Sequence, residues 1–322
     1  MGEPANDLDL MIRAAWFYYG DGLTQAKVAQ RLFVSRQTVG RLLEAAREHG
    51  IVRIEIDSHF LGALKLATRL RTKLGLQDAV VVPGDGEGEV GRGNERVAAA
   101  LAAYVRRYLH PGAVVGLGWG DTVARALSLL PAESLENVTL ASVMGGVRAI
   151  SESLSLNAAF ATHLRAVPAP LLVSSKESAQ TFMAESAVRD VLNLAASASV
   201  TVTGIGSADP ATSSAARSGV LSAEAVATYA ARGAVGDMLG EWYDTEGRAV
   251  SGEHSDRRIG LSLDEVRAMP NVVGAAGGVH KVDAIRGAAA GRLIKVLITD
   301  EPTAEALLQA PDPWTIRPRT RE

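Results

Sequence analysis

Residues 113–122 read Ala-Val-Val-Gly-Leu-Gly-Trp-Gly-Asp-Thr, and this stretch decides the fold of most of the chain. Residues 113–117 are a short apolar run bounded by turn signals, which predicts a buried β-strand. Glycines follow at alternate positions, and residues 122–130 then have the apolar spacing of a helix. A strand that passes through a glycine turn into a helix is typical of parallel α/β folds.

The same order of strand and helix recurs along the chain from residue 77. The predicted strands are residues 79–82, 113–117, 138–143, 199–203, 272–275 and 294–298, and the helices between them include residues 92–109, 122–130, 154–165, 223–231 and 282–290. This alternation predicts a Rossmann-like α/β domain with a mainly parallel sheet that helices cover on both faces. In such sheets ligands bind beyond the carboxyl ends of the strands, so the loops there are the candidate site.

Several of these loops combine glycine with a polar or charged residue. Glycine lets the backbone approach a ligand, and free N–H groups at a helix N-terminus attract an anion. Lys281 can neutralise a phosphate, and Asp237 can accept hydrogen bonds from hydroxyl groups. The candidate effector-binding residues are Gly118, Gly120, Asp121, Thr122, Gly145, Gly146, Arg148, Gly204, Gly206, Asp237, His280 and Lys281. The set favours an anionic polyol ligand, and the alternative is that the glycines serve tight turns alone.

Motifs for metal, dinucleotide and esterase chemistry are absent from the sequence. There is no cysteine, and the six histidines are scattered without metal-ligand spacing. Gly116-x-Gly118-x-Gly120 departs from the dinucleotide pattern because residue 121 is Asp, and no acid follows the next strand to hold a ribose. No G-x-S-x-G motif occurs. His280 can act as a catalytic base, orient its loop or lie near a phosphate. We expect no metal and no cofactor.

Composition indicates a globular protein without a targeting segment. Hydrophobic residues make up 47% and charged residues 21% of the 322 residues, and no apolar run is long enough to cross a membrane. The polar N-terminus shows no secretory signal, so we expect a cytoplasmic protein. Because the net charge is −3, nucleic-acid binding would require a local basic patch.

The sequence from residue 8 to residue 50 predicts a small helical domain. Its three predicted helices are residues 8–19, 25–32 and 36–49. Thr24 and Ser35 are the predicted N-caps, and residues 51–56 alternate apolar and polar as a short strand does. Two short helices joined by a turn indicate a helix-turn-helix, and the strand would serve as a wing or pack against the helices.

The first turn of the third predicted helix offers side chains that read DNA. Arg pairs with guanine, Gln pairs with adenine, and Thr contacts base edges or phosphate. Cations on both helices can contact phosphates, and no acid lies between residues 22 and 43. The candidate DNA-binding residues are Lys27, Arg31, Ser35, Arg36, Gln37, Thr38 and Arg41. The alternative is a three-helix bundle with a solvated basic face.

Residues 59–74 predict a linker helix between two domains. The DNA-binding domain would be residues 1–58 and the effector domain residues 59–322, the linker helix included. The leucines of this helix can form a dimer seam or pack on the effector domain; they are Leu61, Leu64, Leu66, Leu70 and Leu74.

Two sets of segments carry a family resemblance. The series Ala-Trp-Phe-Tyr-Tyr, Gly-Leu-Thr-Gln-Ala-Lys-Val-Ala and Arg-Leu-Leu-Glu-Ala-Ala-Arg-Glu-His-Gly-Ile-Val-Arg-Ile within residues 11–56 resembles the N-terminal domain of SorC-family transcriptional regulators. Four later segments are similar to the sugar-binding domain of that family; they are residues 116–122, 203–207, 236–237 and 270–285. The matches follow in the same order over nearly the whole chain.

The resemblance implies a winged helix-turn-helix joined to an effector domain related to sugar-phosphate isomerases, in a homodimer or homotetramer. Asp121, Thr122 and Lys281 would contact the phosphate or polar head of a sugar, sugar alcohol or sugar phosphate, and Asp237 would accept from a hydroxyl. We therefore expect a transcriptional regulator of a carbohydrate-utilisation operon that binds double-stranded operator DNA, with no membrane partner. The alternative is an isomerase-like enzyme with an accessory N-terminal domain.

Overall fold

The computed structural model of the chain describes residues 4–53, 58–84, 93–146 and 162–311. The chain folds as two units, Met1–Ser58 and His59–Glu322. Within the described residues, every helix is too short or too polar to span a lipid bilayer.

In residues 4–53, three α-helices and one π-helical turn build the N-terminal unit. They are α1 (Pro4–Ala15), the π-helical turn (Trp16–Gly20), α2 (Gln25–Leu32) and α3 (Arg36–Glu48). The Thr24 hydroxyl accepts a hydrogen bond from the Lys27 backbone N–H at 3.3 Å. The Ser35 hydroxyl accepts one from the Thr38 N–H at 3.0 Å, so both predicted N-caps are confirmed. The core between the helices consists of Met11, Ala14, Ala15, Val28, Ala29, Val39, Leu43 and Ala46.

The strand predicted at residues 51–56 is wrong in the half that the structure describes. Residues 51–53 form a bend and irregular backbone, and residues 54–57 lie outside the described part of the chain. Gly50 has a left-handed φ of 69°, and the Val52 N–H donates to the Ala46 carbonyl at 3.0 Å. This hydrogen bond closes the end of α3 and packs Val52 on the core. The apolar–polar alternation that predicted a strand from residue 51 therefore begins in the turn that closes the end of α3.

The effector unit contains ten α-helices and ten strands among its described residues. The helices are α4 (Ser58–Leu74), α5 (Gly93–Val105), α6 (Asp121–Ser128), α7 (Lys176–Ala184), α8 (Ser186–Ala196), α9 (Ser214–Arg217), α10 (Ala223–Ala231), α11 (Leu263–Ala268), α12 (Val282–Ala290) and α13 (Glu301–Gln309). The strands are β1 (Asp78–Val82), β2 (Val114–Leu117), β3 (Thr139–Ser142), β4 (Leu164–Arg165), β5 (Val200–Gly204), β6 (Gly206–Ser207), β7 (Gly236–Met238), β8 (Glu241–Tyr243), β9 (Val272–Ala275) and β10 (Val296–Asp300).

Seven strands form one parallel sheet in the order β1-β10-β9-β5-β2-β3-β4, which confirms the predicted fold class. The direction of winding reverses between β2 and β5, because β3 and β4 extend the sheet on one side and β9 and β10 on the other. The crevice at the carboxyl ends of such a strand pair is where open α/β sheets bind ligands. The strands β6, β7 and β8 form a separate antiparallel sheet.

Some elements of this unit differ from the sequence prediction. Residues 164–165, predicted as the end of a helix, form the edge strand β4, in which Leu164 pairs with Leu140 of β3. Residues 154–161 of that predicted helix lie outside the described part of the chain. The helices α7 and α8 and the β6–β8 sheet were not predicted. Strands of two or three residues are too short to show an alternating pattern.

The linker helix α4 packs on the effector unit. Leu66, Leu70 and Leu74 are buried in its core, whereas Leu64 is exposed. The Lys73 ammonium donates to the Leu308 carbonyl at 2.8 Å, at the end of α13. Packing on the domain is therefore confirmed for these three leucines.

Candidate functional site

The glycine loops after β2 and β5 meet where the winding reverses. The Gly118 N–H donates to the Val202 carbonyl at 2.8 Å, and a Cβ on Gly120 would lie 3.8 Å from the Cα of Gly204. A Cβ on Gly118 would lie 2.7 Å from the Thr203 Oγ1, so the first loop follows this path only with glycine. The structure thus brings three predicted site glycines together.

The N-terminus of α6 opens from the first of these loops. Gly120 is the N-cap residue and supplies no side chain, so the first N–H groups of the helix have no side-chain cap. Thr122 is buried in the first turn. The Asp121 side chain is 67% exposed and forms an ion pair with Arg125 at 2.9 Å. The uncapped N–H groups can bind an anion, and the Asp121 carboxylate is already held by its own helix.

Asp237 lies on β7 directly opposite Gly206 of β6. A Cβ on Gly206 would overlap the Asp237 Oδ1, so this approach requires glycine. The Gly240 N–H donates to the carboxylate, yet Oδ1 is buried and has no hydrogen-bond partner among the described residues. Burial raises the pKa of Asp237 to about 6, although the Gly240 bond and the Lys281 charge oppose this rise. The unpaired Oδ1 can accept a hydrogen bond from a ligand hydroxyl.

Lys281 ends a 3₁₀ turn that follows β9. The Gly278 N–H ties this turn to the start of α13 by donating to Asp300 Oδ2 at 3.1 Å and to Thr303 Oγ1 at 2.7 Å. Burial lowers the pKa of Lys281, and the charge of Asp237 is the main influence that opposes this shift. The structure therefore brings a partly desolvated cation and a buried carboxylate into one site.

His280 and Arg217 lie close enough to this site to act on its charges. Burial and the charges of Lys281 and Arg217 lower the pKa of His280, which favours the neutral imidazole. Arg217 ends α9, and its Nη1 donates to the Thr212 carbonyl at 3.1 Å. Its charge also contributes to the lowered pKa of Lys281. Sequence reasoning missed Arg217 because it lies beyond the glycines of the loop after β5, at the end of a short helix that has no glycine turn at its start.

The glycine N–H groups of the loop after β3 form hydrogen bonds within the chain. The Gly145 N–H donates to the Ile259 carbonyl, and the Gly146 N–H donates to the Ala169 carbonyl, both at 3.0 Å. These groups are therefore not available to a ligand, and a contact of either glycine with the effector stays a prediction. Arg148 lies outside the described residues.

A buried ion pair holds the β7–β8 hairpin beside the first glycine loop. The Arg258 side chain is only 7% exposed and donates to Glu241 Oε2 at 3.1 Å. It also donates to the Leu239 carbonyl at 3.3 Å and the Leu261 carbonyl at 2.7 Å. Leu239 has a left-handed φ of 57°, and its side chain would meet a Cβ on Gly118. Arg258 thus positions the turn that contains Gly240, and sequence reasoning missed it.

The predicted recognition helix α3 presents a polar face. Val39 and Leu43 are buried in the small core, whereas Arg36, Gln37 and Arg41 are exposed. Over the described ranges, these three exposed side chains make no hydrogen bond or ion pair. They are available to contact base edges.

The remaining predicted DNA-binding residues also stabilise the unit. The hydroxyls of Ser35 and Thr38 are 2.8 Å apart at the start of α3. The Lys27 backbone is capped by Thr24 while its side chain stays exposed. The Arg31 guanidinium lies 4.4 Å from the centre of the Phe17 ring. A phosphate contact by any of them stays a prediction.

A helix-turn-helix and an α/β unit with a polar site at its winding reversal define the class of ligand-controlled DNA-binding regulators. The family model Sugar-bind, a sugar-binding domain, matches residues 58–309. The chain belongs to the SorC family of sugar-binding transcriptional regulators.

Relatives and solved structures agree with this assignment. The chain is 38% identical over 311 residues to the transcriptional regulator LsrR of Enterobacter sp. strain 638, covering 95% of both chains. It is 37% identical over 304 residues to LsrR of Klebsiella pneumoniae subsp. pneumoniae, covering 93% of both. The full-length sorbitol operon regulator SorC from Klebsiella pneumoniae matches 94% of this chain and 100% of its own, with 28% identity and a TM-score of 0.68.

These likenesses decide between the two functions that the sequence left open. The chain is a DNA-binding transcriptional regulator with a sugar-binding effector domain. Since the relatives are named as regulators, the isomerase-like alternative is not favoured.

Proposed function

We propose that this protein regulates a carbohydrate-utilisation operon and that a phosphorylated sugar or sugar alcohol controls its affinity for the operator. The observation that carries the proposal is the buried, unpaired Oδ1 of Asp237 beside the desolvated Lys281. A buried acceptor without a donor costs about 1–3 kcal/mol, which a ligand hydroxyl would recover.

The donors of this site favour an anionic ligand. Lys281 and Arg217 supply two cations, and three carboxylates act on Lys281, those of Asp237, Asp121 and Asp300. Asp121 is already paired with Arg125, and Asp300 already accepts from the Gly278 N–H. The uncapped N-terminus of α6 adds N–H donors beside them. Together they can hold a phosphate while Asp237 selects a hydroxyl on the same molecule.

Titration calorimetry with matched pairs tests this function. The probes are fructose 6-phosphate, ribose 5-phosphate and sorbitol 6-phosphate, each with its unphosphorylated counterpart. We expect at least one phosphate to bind and its counterpart to bind at least tenfold more weakly. Lys281→Gln should abolish this binding, whereas Lys176→Gln, a surface lysine paired with Asp256, should not. Equal binding of the phosphorylated and unphosphorylated members of a pair, or normal binding in Lys281→Gln, would contradict the proposal.

The operator and its genes can be found with the wild-type protein alone. The protein is mixed with sheared genomic DNA at physiological salt, and the captured fragments are sequenced. Enrichment of a few related half-sites beside sugar-metabolism genes supports the proposed operon control. Uniform capture of all fragments contradicts it.

The assembly is proposed to be a homodimer or homotetramer, with α1 forming part of the contact between copies. An exposed apolar stripe follows α1 and the π-helical turn; it consists of Leu8, Ile12, Trp16 and Tyr19. Proteins that bind two DNA half-sites are two-fold symmetric assemblies. An exposed apolar stripe on one copy of the chain can pack against the same stripe on a second copy. Trp16→Ser should weaken the assembly in light scattering, whereas Leu129→Ser, an exposed leucine of the effector unit, should not. An unchanged molecular mass of the assembly in Trp16→Ser would contradict a role of the stripe in the contact between copies.

A further inference from the structure

Phe33 is the most exposed large apolar residue among the described residues, with 96% of its surface open to solvent. It lies in the turn between α2 and α3, two residues before the N-cap Ser35. Its backbone has a left-handed φ of 56°. The exposure and the backbone conformation are independent observations, and both are unfavourable for a phenylalanine.

The left-handed conformation at this position is costly. A bulky side chain is strained in this region relative to the right-handed form, and glycine or asparagine avoids most of that strain. The turn needs this φ because the left-handed residue redirects the chain so that the Val34 N–H donates to the Ala29 carbonyl at 3.0 Å and closes α2. Within residues 4–53 no packing around the ring offsets this strain, because the ring is exposed. Strain of this kind is often kept where the residue has a function.

The surroundings of the ring fit a nucleic acid. Lys27, Arg31 and Arg36 are exposed on the adjoining helices, and Asp21 is the neighbouring acid, 3.8 Å from Arg31. A contact between proteins would be expected to continue into other exposed apolar side chains, as the stripe on α1 does. An exposed aromatic ring in the turn between two helices that carry exposed cations instead suits a polyanion with apolar carbon atoms between its phosphates.

We propose that the Phe33 ring packs against apolar atoms of the operator, namely thymine methyl groups or deoxyribose carbons, at the edge of each half-site. Arg36 and Gln37 would then read bases from α3 while Phe33 adds shape and an apolar contact beside them. The inference rests on the helix-turn-helix binding DNA, which the wild-type protein tests independently. Only the change caused by altering residue 33 bears on the ring itself.

The test compares Phe33→Asn and Phe33→Tyr in the full-length protein, on a fragment captured by the wild type. Asn retains the left-handed turn without the ring, so we expect operator affinity to fall about tenfold while hydrogen exchange of the α2 and α3 amides slows about fivefold. Phe33→Tyr retains the ring and should bind as the wild type does. Because the contact is apolar, the salt dependence of binding should keep its slope in Phe33→Asn.

A matched control is Arg292→Asn, which replaces another exposed left-handed residue, with φ 55°, in the effector unit. It should leave operator affinity unchanged. Operators with uracil in place of thymine separate the two sources of carbon: a methyl contact weakens on substitution, and a deoxyribose contact does not. Slower exchange with unchanged affinity in Phe33→Asn would overturn the proposal. Loss of the assembly without DNA in that variant would also overturn it, because the ring would then contact a second copy.

Discussion

Asp237 places an ionisable group in a buried position, which makes the stability of the effector unit depend on pH. Its pKa is raised from 3.8 to about 6 in the folded protein. The folded state therefore binds this proton more tightly, and the stability it contributes is present below about pH 4 and is lost as the pH rises through 6.

Asp237→Asn removes this titration. We expect its free energy of unfolding to exceed that of the wild type by up to about 3 kcal/mol at pH 7 and to equal it near pH 4. The gain is an upper limit, because Lys281 loses its opposing charge in the variant. Urea denaturation at several pH values measures the difference. The same pH dependence in both proteins would contradict the assignment.

Arg36 and Lys27 should differ in how they bind DNA. Arg36→Ala should cost about 1–3 kcal/mol on the operator and relax the choice of base at one position, if the guanidinium reads guanine. Lys27→Ala should weaken binding to all duplexes and lower the salt slope by about one. Fluorescence anisotropy on operator and random duplexes at several salt concentrations separates these outcomes. A uniform loss in Arg36→Ala would make Arg36 a phosphate contact.

Sequence reasoning found the site residues that stand next to glycine and missed those that do not. Lys281 lies in a glycine-rich segment after a predicted strand, so the parallel topology was enough to select it. Asp237 was selected by Gly236 and Gly240, which flank it in the sequence. The charge of Arg217, on a short helix, lowers the pKa of Lys281. Arg258 holds the β7–β8 turn by donating a hydrogen bond to the Leu239 carbonyl. Such relations depend on tertiary distance, which no local pattern contains. Phe33 was read only as part of a turn.

At the level of elements, the β7–β8 hairpin depends on the ion pair between Arg258 and Glu241. Arg258→Met leaves the Glu241 carboxylate and three carbonyls without this donor. We expect a loss of about 3–5 kcal/mol in the free energy of unfolding. Arg248→Met removes an exposed pair with Asp244 instead and should cost less than about 1 kcal/mol. Similar losses in chemical denaturation would show that Arg258 has no special role.

Elements were predicted best where one physical signal dominates. The strand at residues 272–275 and the helices at residues 223–231 and 282–290 coincide with β9, α10 and α12. The buried strand is a continuous apolar run, and the two helices carry helix-forming alanines throughout. The error at residues 51–53 has the opposite origin, because a closing hydrogen bond to Ala46 sets that backbone.

For the whole molecule, effector and operator should influence each other reciprocally. If the sugar phosphate that binds best changes operator affinity by a factor of 5 to 150, about 1–3 kcal/mol, the operator must change effector affinity by the same factor. Anisotropy with and without effector gives one factor, and calorimetry with and without operator gives the other. Two unequal factors would mean that a third state or a change in assembly takes part.

The pairing of β1 with β10 also sets the order in which the protein can mature during synthesis. β1 gains its partner on this side only when residues 296–300 exist, and α4 meets α13 through Lys73 and Leu308. The core that α1, α2 and α3 share lies within residues 11–52. During synthesis on the ribosome, the N-terminal unit can therefore fold before β10 of the effector unit has been made. A nascent chain halted before β10 would contain a folded DNA-binding unit and an incomplete effector unit.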